Sequence, residues 1–575
     1  MKKLLFSCLI CLLIAPLAVA ASPADATETF PYAPTAKDDE ATRIAETAAL
    51  HAWLSSFEGP GAATYDVTIP AAERTALGSV QPTNGPMQIG VHGDVSFEFN
   101  PAARTQAFGS STFADGNRVW SGTFRSPGAA GVRLHLQDVN LPEGAALYVF
   151  GRHGHAFGPY TGQHKTLWTN TVAGSEIVLQ VHLPLDQETA GGTFRVAELA
   201  HMGDNYRFGQ TLGRAFCSWN DSCITNAECA SIPSAIQPLQ DAVAYLVYSK
   251  SGGSFICSGG LLNTTNSSGD PYLLTANHCF SSQSSASSLE AYFQWTVNCG
   301  ASCGSQYNPP GSVPRTNGST LLATSATTDF TFVELSQAAP SGSVFLGWTT
   351  TAVANSSGTN LFRVSHPSGS PQAYSEQSVT TSGGTCGSLP RGNFIYSNAT
   401  FADTEGGSSG SPVVNGSNQV VGQLFGACGA TPETTCDSDD RTVDGAFAVT
   451  YSSISQWLDP GSGGGGGGGG SCTGNNVWTG TASSSSNPVT PNCSASGSFT
   501  GELVCDAGAA DLDLHLDKQS CGGWFGCSFS SVASSTSSGC DETVSGYNGS
   551  SGTYRWRVDH YSGPAESFTL CTNKC

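Results

Sequence analysis

Ser409 lies in a run of small residues, Gly406-Gly407-Ser408-Ser409-Gly410-Ser411-Pro412, that is suited to carry a serine nucleophile. Glycines allow the backbone to turn sharply and to come close to a substrate carbonyl. The N–H groups of Gly407 and Ser409 would then point into one hole, where they bind the oxyanion that forms when a hydroxyl attacks a carbonyl. The alternative is a surface turn, because turns rich in serine and glycine are frequent in this chain.

A serine hydroxyl needs a base to take its proton, and that base is usually a histidine oriented by a carboxylate. His278 is the candidate base, since it follows an apolar strand end in Tyr272-Leu-Leu-Thr-Ala-Asn-His-Cys279. Asp329 is the candidate carboxylate, and it precedes an alternating apolar strand, Phe330-Thr-Phe-Val-Glu-Leu335. The order His278, Asp329, Ser409 is the order of the chymotrypsin-type fold and not of subtilisins or α/β-hydrolases.

The first residues indicate export. Lys2 and Lys3 precede an apolar run from Leu4 to Val19, and small residues follow at a plausible cleavage point. This pattern predicts a signal peptide over residues 1–21 and a secreted protein. A membrane anchor is the alternative, but the run is short for a bilayer and no second stretch of about 18 apolar residues occurs, so we expect no membrane span.

The cysteines divide the rest of the chain. Two of the 20 cysteines lie within the first 11 residues, ten lie from 217 to 436, and eight lie from 472 to 575. Even numbers in an exported chain predict disulfides. Zinc is the alternative, but no cysteine pair combines with histidines at the spacing of a zinc finger, so we expect no metal.

Residues 22–210, which contain no cysteine, therefore form a separate unit. A helix over 41–57 and alternating runs such as Ala146-Leu-Tyr-Val-Phe150 predict a β-rich domain. In a secreted hydrolase such a domain is often a propeptide that assists folding and blocks the site; a permanent accessory domain is the alternative. Residues 211–460 carry the three candidate catalytic side chains. Eight consecutive glycines make 461–471 a flexible linker to a C-terminal module, 472–575.

The middle unit resembles the trypsin-like serine endopeptidases, and more narrowly the bacterial branch that contains the lysyl endopeptidases. The likeness covers about residues 217 to 460, and its motifs include Cys257-Ser-Gly-Gly-Leu-Leu-Asn, Leu274-Thr-Ala-Asn-His-Cys and Gly407-Ser-Ser-Gly-Ser-Pro. It implies a serine endopeptidase built as two six-stranded β-barrels with the site between them. It also implies the disulfides Cys257–Cys279, Cys223–Cys428 and Cys229–Cys299, and it leaves the pairing of Cys217, Cys303, Cys386 and Cys436 open.

The C-terminal module resembles the prepeptidase C-terminal domains of secreted bacterial hydrolases, which are small β-sandwiches. Its alternating runs, such as Ala510-Asp-Leu-Asp-Leu-His-Leu-Asp517, read as strands. Such domains are associated with secretion or with binding of insoluble substrate. Asp511 and Asp513 either bind calcium or are solvent-facing strand residues.

One departure from the resemblance concerns activation. Ser408 stands where mammalian-type members have an aspartate that buries a new N-terminal ammonium on maturation. Without a carboxylate at 408, we expect activation by removal of the N-terminal domain, so that the chain's own propeptide is its intramolecular inhibitor. Arg207 and Arg214 are candidate self-cleavage points.

A second departure concerns specificity. The segment Leu424-Phe425-Gly426 would line the substrate, but the lysyl enzymes carry histidine where this chain has Phe425, and Thr442 stands at the place of their lysine-binding aspartate. Asp403 offers another route, because it lies six residues before Ser409, the spacing of trypsin's pocket aspartate. A carboxylate there would pair with Lys or Arg. A turn cap at Asp403 and an apolar pocket are the alternatives.

Composition agrees with a mainly β protein, because only 12% of residues are charged and glycine is abundant. The net charge of −21 disfavours nucleic-acid binding. We expect a monomer without cofactor that acts on proteins or peptides. A catalytically inactive protease-fold binding protein or adhesin is the alternative, although all three triad positions are filled. An esterase or lipase of the α/β-hydrolase fold would need its nucleophile before the acid and the histidine.

Overall fold

The structure of this protein is a computed structural model, with 31 strands and five α-helices among the residues it describes. The expected mainly β architecture is confirmed. The leader, the 461–471 stretch, Arg207 and Arg214 lie outside the described residues. None of the described helices is long and apolar enough to cross a membrane. The described residues are 28–57, 63–77, 85–101, 109–114, 117–184, 192–203, 216–304, 310–429, 435–436, 441–459, 476–483, 487–490, 492–505, 510–522, 526–536, 540, 542–563 and 566–574.

The N-terminal part, residues 28–203, encloses an apolar core between two sets of strands. Its helices are α1 (Glu40–Ser55) and α2 (Ala71–Ala76). Its strands are β1 (Ala63–Asp66), β2 (Met87–Phe99), β3 (Gly109–Ala114), β4 (Asn117–Arg125), β5 (Gly131–Asn140), β6 (Ala146–Phe150), β7 (Ala156–Tyr160), β8 (Gln163–Trp168), β9 (Val172–Ala173), β10 (Glu176–Pro184) and β11 (Thr193–Met202).

Alternation of side chains explains how these strands form layers. One sheet has the order β1-β4-β10-β6-β7, with β3 on β4, and the other set has the order β2-β11-β5-β8, with β9 on β5. Leu134 and Leu136 of β5 are fully buried between them, since residues two apart on a strand share a face. Helix α1 covers the outside of the first sheet, where Leu54 packs with Phe150 and Val178. The predicted helix and β-rich domain are confirmed.

The middle part, residues 216–459, consists of a half-barrel followed by a closed barrel. The half-barrel contains α3 (Gln283–Ser287) and strands β12 (Val243–Lys250), β13 (Gly253–Leu261), β14 (Tyr272–Ala276), β15 (Glu290–Phe293), β16 (Arg315–Asn317), β17 (Ser319–Ser325) and β18 (Phe330–Leu335). The closed barrel contains β19 (Gly347–Trp348), β20 (Asn360–Ser365), β21 (Ala373–Val379), β22 (Phe394–Phe401), β23 (Pro412–Val414), β24 (Gln419–Cys428) and β25 (Arg441–Ala446), followed by α4 (Phe447–Thr450) and α5 (Ser455–Leu458).

The two halves differ in closure. In the second half, β24 pairs with both β23 and β25, so that six strands form a ring. In the first half the order is β16-β15-β12-β13-β14-β18-β17, and no ladder among the described residues joins its two ends. The chymotrypsin-like expectation therefore holds, with one complete barrel and one half-barrel. Apolar side chains of both halves, including Leu274, Phe332, Tyr374 and Val420, form a shared core.

Strand β2 of the N-terminal part continues the sheet of the half-barrel. It pairs antiparallel with β13, with Met87 opposite Ile256 and Val91 opposite Gly253. A 12-stranded sheet thus runs through both parts. Tyr245 of β12 contributes to an apolar cluster with Met87 and Ile256, whereas its neighbours on β12 face the half-barrel interior. Both faces of β12 are consequently buried.

The pairing of the cysteines confirms two expected bonds and corrects one. Cys257–Cys279 and Cys229–Cys299 are present. The expected Cys223–Cys428 bond is wrong, because β24 carries Cys428 along β25 to the loop of Cys386, which it pairs with. Cys436 instead returns to Cys223, with Cα atoms 5.6 Å apart. The remaining bond in this part is Cys217–Cys303.

The C-terminal part is a six-stranded sheet that folds around its own apolar core, with the order β26-β31-β27-β30-β28-β29. The long strand β30 pairs with β27 through its first half and with β28 through its second. It therefore joins the strands β26, β31 and β27 to the strands β28 and β29 of the predicted sandwich. Cys505 pairs with Cys540. The strands are β26 (Asn476–Ala482), β27 (Cys493–Cys505), β28 (Asp511–Gly522), β29 (Gly526–Ser535), β30 (Glu542–Ser562) and β31 (Glu566–Thr572).

This C-terminal part contacts the half-barrel through polar groups. The Arg555 guanidinium lies 2.6 Å from the Glu334 carboxylate, which is almost fully buried. The Asn492 amide donates to Asp270 at 2.6 Å. Asp270 and Glu334 flank the ends of β14 and β18 that lie away from His278 and Asp329.

Candidate active site

The pairing of β14 with β18 brings His278 and Asp329 together. Ala276, the last residue of β14, is opposite Phe330, the first residue of β18. Just beyond this last pair, His278 Nδ1 lies 2.7 Å from Asp329 Oδ2, and the His278 backbone N–H donates to Oδ1 at 2.9 Å. Asp329 is 4% exposed. A buried carboxylate that accepts both bonds fixes the ring's orientation and favours the tautomer with its proton on Nδ1.

The second ring nitrogen of His278 faces the opposite way. Nε2 is buried and has no hydrogen-bond partner among the described residues. The ring of Phe425 meets the imidazole edge-on, with centroids 5.7 Å apart. In the tautomer with its proton on Nδ1, Nε2 is an acceptor that a serine hydroxyl can use. Such contacts often tighten only when substrate binds.

Ser409 lies where the two halves of the middle part meet. Its carbonyl accepts from the Ser258 N–H of β13 at 2.8 Å, and the next N–H, of Gly410, donates to Leu424 of β24 at 2.8 Å. Gly410 has φ of +79°, and a Cβ on it would lie 2.2 Å from Thr275 Oγ1. Only glycine fits such an approach, so this residue allows Ser409 to sit next to the strand that leads to His278.

The backbone around Ser409 leaves the N–H groups of the two candidate oxyanion donors without acceptors. The N–H groups of Ser408 and Gly410 donate to the carbonyls of Glu405 and Leu424. In contrast, the N–H groups of Gly407 and Ser409 donate to no acceptor within the described part of the chain. Gly407 has φ of +97°, a conformation that glycine adopts easily. Two free, neighbouring N–H groups next to a serine hydroxyl are what stabilisation of a tetrahedral oxyanion requires.

The candidate substrate-binding residues lie on two sides of this centre. Leu424 is buried, while Phe425 and Gly426 are partly exposed on the same strand, β24. Phe425 stands between the rings of His278 and Phe394. Asp403 is partly exposed, and its Oδ1 accepts from the Thr404 N–H at 2.8 Å.

Three supporting residues were not singled out from the sequence. Arg363 is fully buried, donates to the Ser411 carbonyl and hydroxyl at 3.0 Å, and pairs with the equally buried Asp444 at 2.5 Å. Glu405 is also buried, at 8% exposure. An arginine, an aspartate and a glutamate carry no special signal in single strands or loops, so only the tertiary structure shows that all three support the segment around Ser409.

Comparison with known proteins agrees with this geometry. The family model described as "Lysyl endopeptidase, C-terminal domain" matches residues 218–441, and "Lysyl endopeptidase N-terminal domain" matches residues 62–203. A lysyl endopeptidase of Pseudomonas aeruginosa strain PAO1 is 30% identical over 349 residues, which are 58% of this chain and 72% of that protein. The secreted RxLR effector protein 73 of Plasmopara viticola is 33% identical over 201 residues, which are 34% of this chain and 47% of that protein.

Solved structures with similarity include two proteases. The Rv3671c protease from M. tuberculosis in its active form has a TM-score of 0.27 and 14% identity, over 39% of this chain and 83% of that one. The HtrA-type protease AlgW with tripeptide has a TM-score of 0.28 and 17% identity, over 39% of this chain and 63% of that one.

Proposed function

Because this chain belongs to the lysyl endopeptidase family and is a serine endopeptidase, we propose that Ser409, His278 and Asp329 are the residues with which it hydrolyses peptide bonds. The observation that carries this assignment is the pair of hydrogen bonds from His278 to the buried Asp329 carboxylate. The opposite ring nitrogen, Nε2, has no hydrogen-bond partner among the described residues, which supports its proposed role as the base.

In the proposed mechanism, His278 Nε2 takes the proton of the Ser409 hydroxyl as its oxygen attacks the scissile carbonyl. The oxyanion that forms is stabilised by the N–H groups of Gly407 and Ser409. The imidazolium, stabilised by Asp329, then gives its proton to the leaving amine, and an acyl-enzyme remains. Water enters, loses a proton to Nε2 and attacks the ester, and the proton returns to Ser409 as the acid product leaves.

We also propose that the protein is secreted and that residues 22–210 are an inhibitory propeptide. The leader and the five disulfides of the middle part support an extracellular location. Strand β2 supports the inhibitory role, because it pairs with β13, the strand whose Ser258 N–H donates to the Ser409 carbonyl. A Cβ on Gly406 would lie 3.3 Å from Met87 Cε, so the N-terminal part reaches the loop that precedes Ser409.

For specificity we propose cleavage after Lys or Arg, with Asp403 as the carboxylate that receives the basic side chain. Its partial exposure supports this role, since a receptor for a substrate side chain must be reachable. A library of peptides incubated with the mature protein tests it. Asp403→Asn should lower cleavage after Lys and Arg by about 10- to 100-fold, and absence of such cleavage by the wild-type protein rejects the proposal.

A fluorophosphonate probe tests the catalytic assignment. The processed, secreted protein should be labelled, Ser409→Ala should not, and Ser417→Ala, at an exposed turn serine, should be labelled like the wild type. Labelling of the Ser409→Ala variant at the wild-type level would contradict the assignment of Ser409 as the nucleophile. For the propeptide, the mature N-terminus should fall between about residues 203 and 222, and an active protein that still carries residues 22–200 covalently contradicts that proposal.

A further inference from the structure

Glu405 is a buried carboxylate at the start of the segment that carries the two oxyanion donors. Its Oε1 accepts from the Asp221 backbone N–H at 2.5 Å, and its Oε2 accepts from the Asn220 amide at 2.9 Å. Burial raises its pKa above the usual range for glutamate. Two donors on a carboxylate with 8% exposure indicate a built contact, because an unpaired carboxylate would not be buried in this way.

The partners of Glu405 belong to the first residues of the middle part. Asn220 and Asp221 lie between Cys217 and Cys223, whose disulfides reach Cys303 and Cys436. This covalent support on both sides limits how far the two residues can move. The donors that Glu405 uses are therefore fixed relative to the rest of the middle part.

A third segment completes the arrangement. The Asn220 amide also donates to the Pro367 carbonyl at 3.1 Å, and the Ser368 N–H donates to the Gly406 carbonyl at 2.6 Å. Gly406 is thus fixed in two ways. Its carbonyl accepts from the Ser368 N–H, and the carboxylate of the preceding Glu405 is bound by Asn220 and Asp221. A change at Glu405 would let Gly406 and Gly407 rotate, and the Gly407 N–H would no longer point into the hole.

We infer that Glu405 is a positioning residue that holds the oxyanion hole in place, and that it does so before the N-terminal part is removed. The bond that matters is made to a peptide N–H within the chain, not to an ammonium created by cleavage. Ser408 offers no carboxylate for a new N-terminal ammonium, and the carboxylate of Glu405, three residues earlier, instead binds the backbone at Asp221. This inference rests on the proposed role of Gly407 and Ser409 as oxyanion donors.

The consequence concerns the precursor. With the oxyanion hole already held in the precursor, the proposed inhibition acts through contacts of the N-terminal part such as that of Met87 with Gly406. Loss of these contacts, without a new N-terminal ammonium, would then be enough for the precursor to cleave its own chain.

The test compares mature Glu405→Gln with the wild type and with Glu228→Gln, an exposed carboxylate of the same domain. The side-chain amide of the Glu405→Gln variant turns a donor toward the Asn220 amide or the Asp221 N–H. Its kcat for a peptide substrate should therefore fall about 10- to 100-fold, less than the roughly 100- to 1,000-fold for complete loss of an oxyanion donor, because the donor is displaced and not removed. KM should change less than about twofold, because the ground-state carbonyl does not use the hole fully. Glu228→Gln should behave as the wild type.

The outcomes separate the inference from the proposed function. A folded Glu405→Gln protein with kcat within twofold of the wild type, or with equal changes in kcat and KM, overturns the inference. If this variant does not fold, Asn220→Ala decides by the same two measurements, with an expected fall in kcat of about 3- to 10-fold. A wild-type protein that neither reacts with fluorophosphonate nor cleaves peptides instead overturns the proposed function.

Discussion

The N-terminal and middle parts are both mainly β and both bury large apolar cores, yet they are held together by different means. No cysteine lies between Cys11 and Cys217, so the N-terminal part folds without covalent links, whereas the middle part has five disulfides. Disulfides raise stability by restricting the unfolded chain. The difference is what the proposed roles require, a propeptide that is removed and an enzyme that stays folded outside the cell.

Their buried histidines differ as well. Burial lowers the pKa of His155 to about 4 and that of His201 to about 4 in the N-terminal part. The imidazoles of His135 and His92, with Nδ1 atoms 3.6 and 3.1 Å from Glu198 Oε2, hold the pKa of Glu198 well below its usual range. In the described residues of the middle part, only His366 has a pKa lowered to about 4 by burial. We therefore expect the folding stability of the N-terminal part to fall more steeply than that of the middle part as pH is lowered from neutral.

The largest expected effect is on kcat, and it distinguishes a change in the middle part from a change in the N-terminal core. Asp329→Asn in the middle part should lower kcat about 10⁴-fold, because the imidazole loses its orientation and tautomer. Leu134→Ala in the N-terminal core should destabilise the precursor by about 2–5 kcal/mol, yet leave kcat of the mature protein unchanged. Peptide hydrolysis and denaturant unfolding measure the two. A lower mature kcat for Leu134→Ala would break the comparison.

The second prediction removes one covalent link. Cys229→Ser combined with Cys299→Ser opens a bridge between residues 70 apart and should lower the free energy of unfolding of the mature protein by about 2–5 kcal/mol. The unfolding of the N-terminal part in the precursor should not change. Denaturant titration of the precursor with Ser409→Ala, which prevents self-cleavage, follows both transitions. Equal losses in the two parts would contradict the comparison.

The third prediction concerns the contact between the parts. The fully buried Glu290 carboxylate of β15 accepts from the Asn170 amide at 2.7 Å and the Thr171 hydroxyl at 2.8 Å, both of the N-terminal part. In Glu290→Gln the new side-chain amide faces donors of the N-terminal part. The contact between the two parts should therefore weaken by about 1–3 kcal/mol. Self-processing of the precursor should become about tenfold faster, as followed by gel electrophoresis, while Glu228→Gln leaves it unchanged. An unaltered rate for Glu290→Gln would show that this contact does not restrain the propeptide.

The smallest expected effect is that of pH. A histidine whose pKa is lower in the folded protein than in the unfolded chain contributes stability above about pH 6.5, and this stability is lost as pH falls toward 4. Glu198 acts in the same direction at still lower pH, because its pKa is also lowered by folding. Between pH 7 and 4.5 the N-terminal part of the Ser409→Ala precursor should lose on the order of 1 kcal/mol more than the mature protein.

Chemical denaturation at the two pH values measures this difference. His201→Asn should reduce the pH dependence of the N-terminal transition, since the group that resists protonation in the folded state is gone. A mature protein that loses more stability than the N-terminal part over this range would reverse the comparison.

Local patterns were enough to predict much of this molecule. The apolar strand before His278 and the strand after Asp329 were predicted from their own residues, and the two candidate side chains lie together at their ends. The two nearer disulfides, Cys257–Cys279 and Cys229–Cys299, followed from the resemblance and are present. The strands depend largely on their own residues, whereas the two disulfides were available only through the resemblance.

Other features depend on the paths of distant segments. The pairing of Cys428 follows from the length of β24 and its register on β25, and a disulfide pattern cannot be deduced from spacing alone. The anchoring of Glu405 depends on where Asn220 and Asp221 run. The addition of β2 to the edge of β13 depends on two domains meeting. None of these leaves a periodic signal in the sequence.

The contact of the C-terminal part with Asp270 and Glu334 is made within one chain, and this strengthens its occupancy. Two modules that belong to one chain contact each other at an effective concentration that is commonly in the millimolar range. An interface with a dissociation constant of about a millimolar, too weak to hold two separate molecules together at ordinary concentrations, is then about half occupied within one chain. Proteolysis within residues 461–471 would convert this intramolecular equilibrium into a bimolecular one, and the module would dissociate on dilution without any change in its contacts.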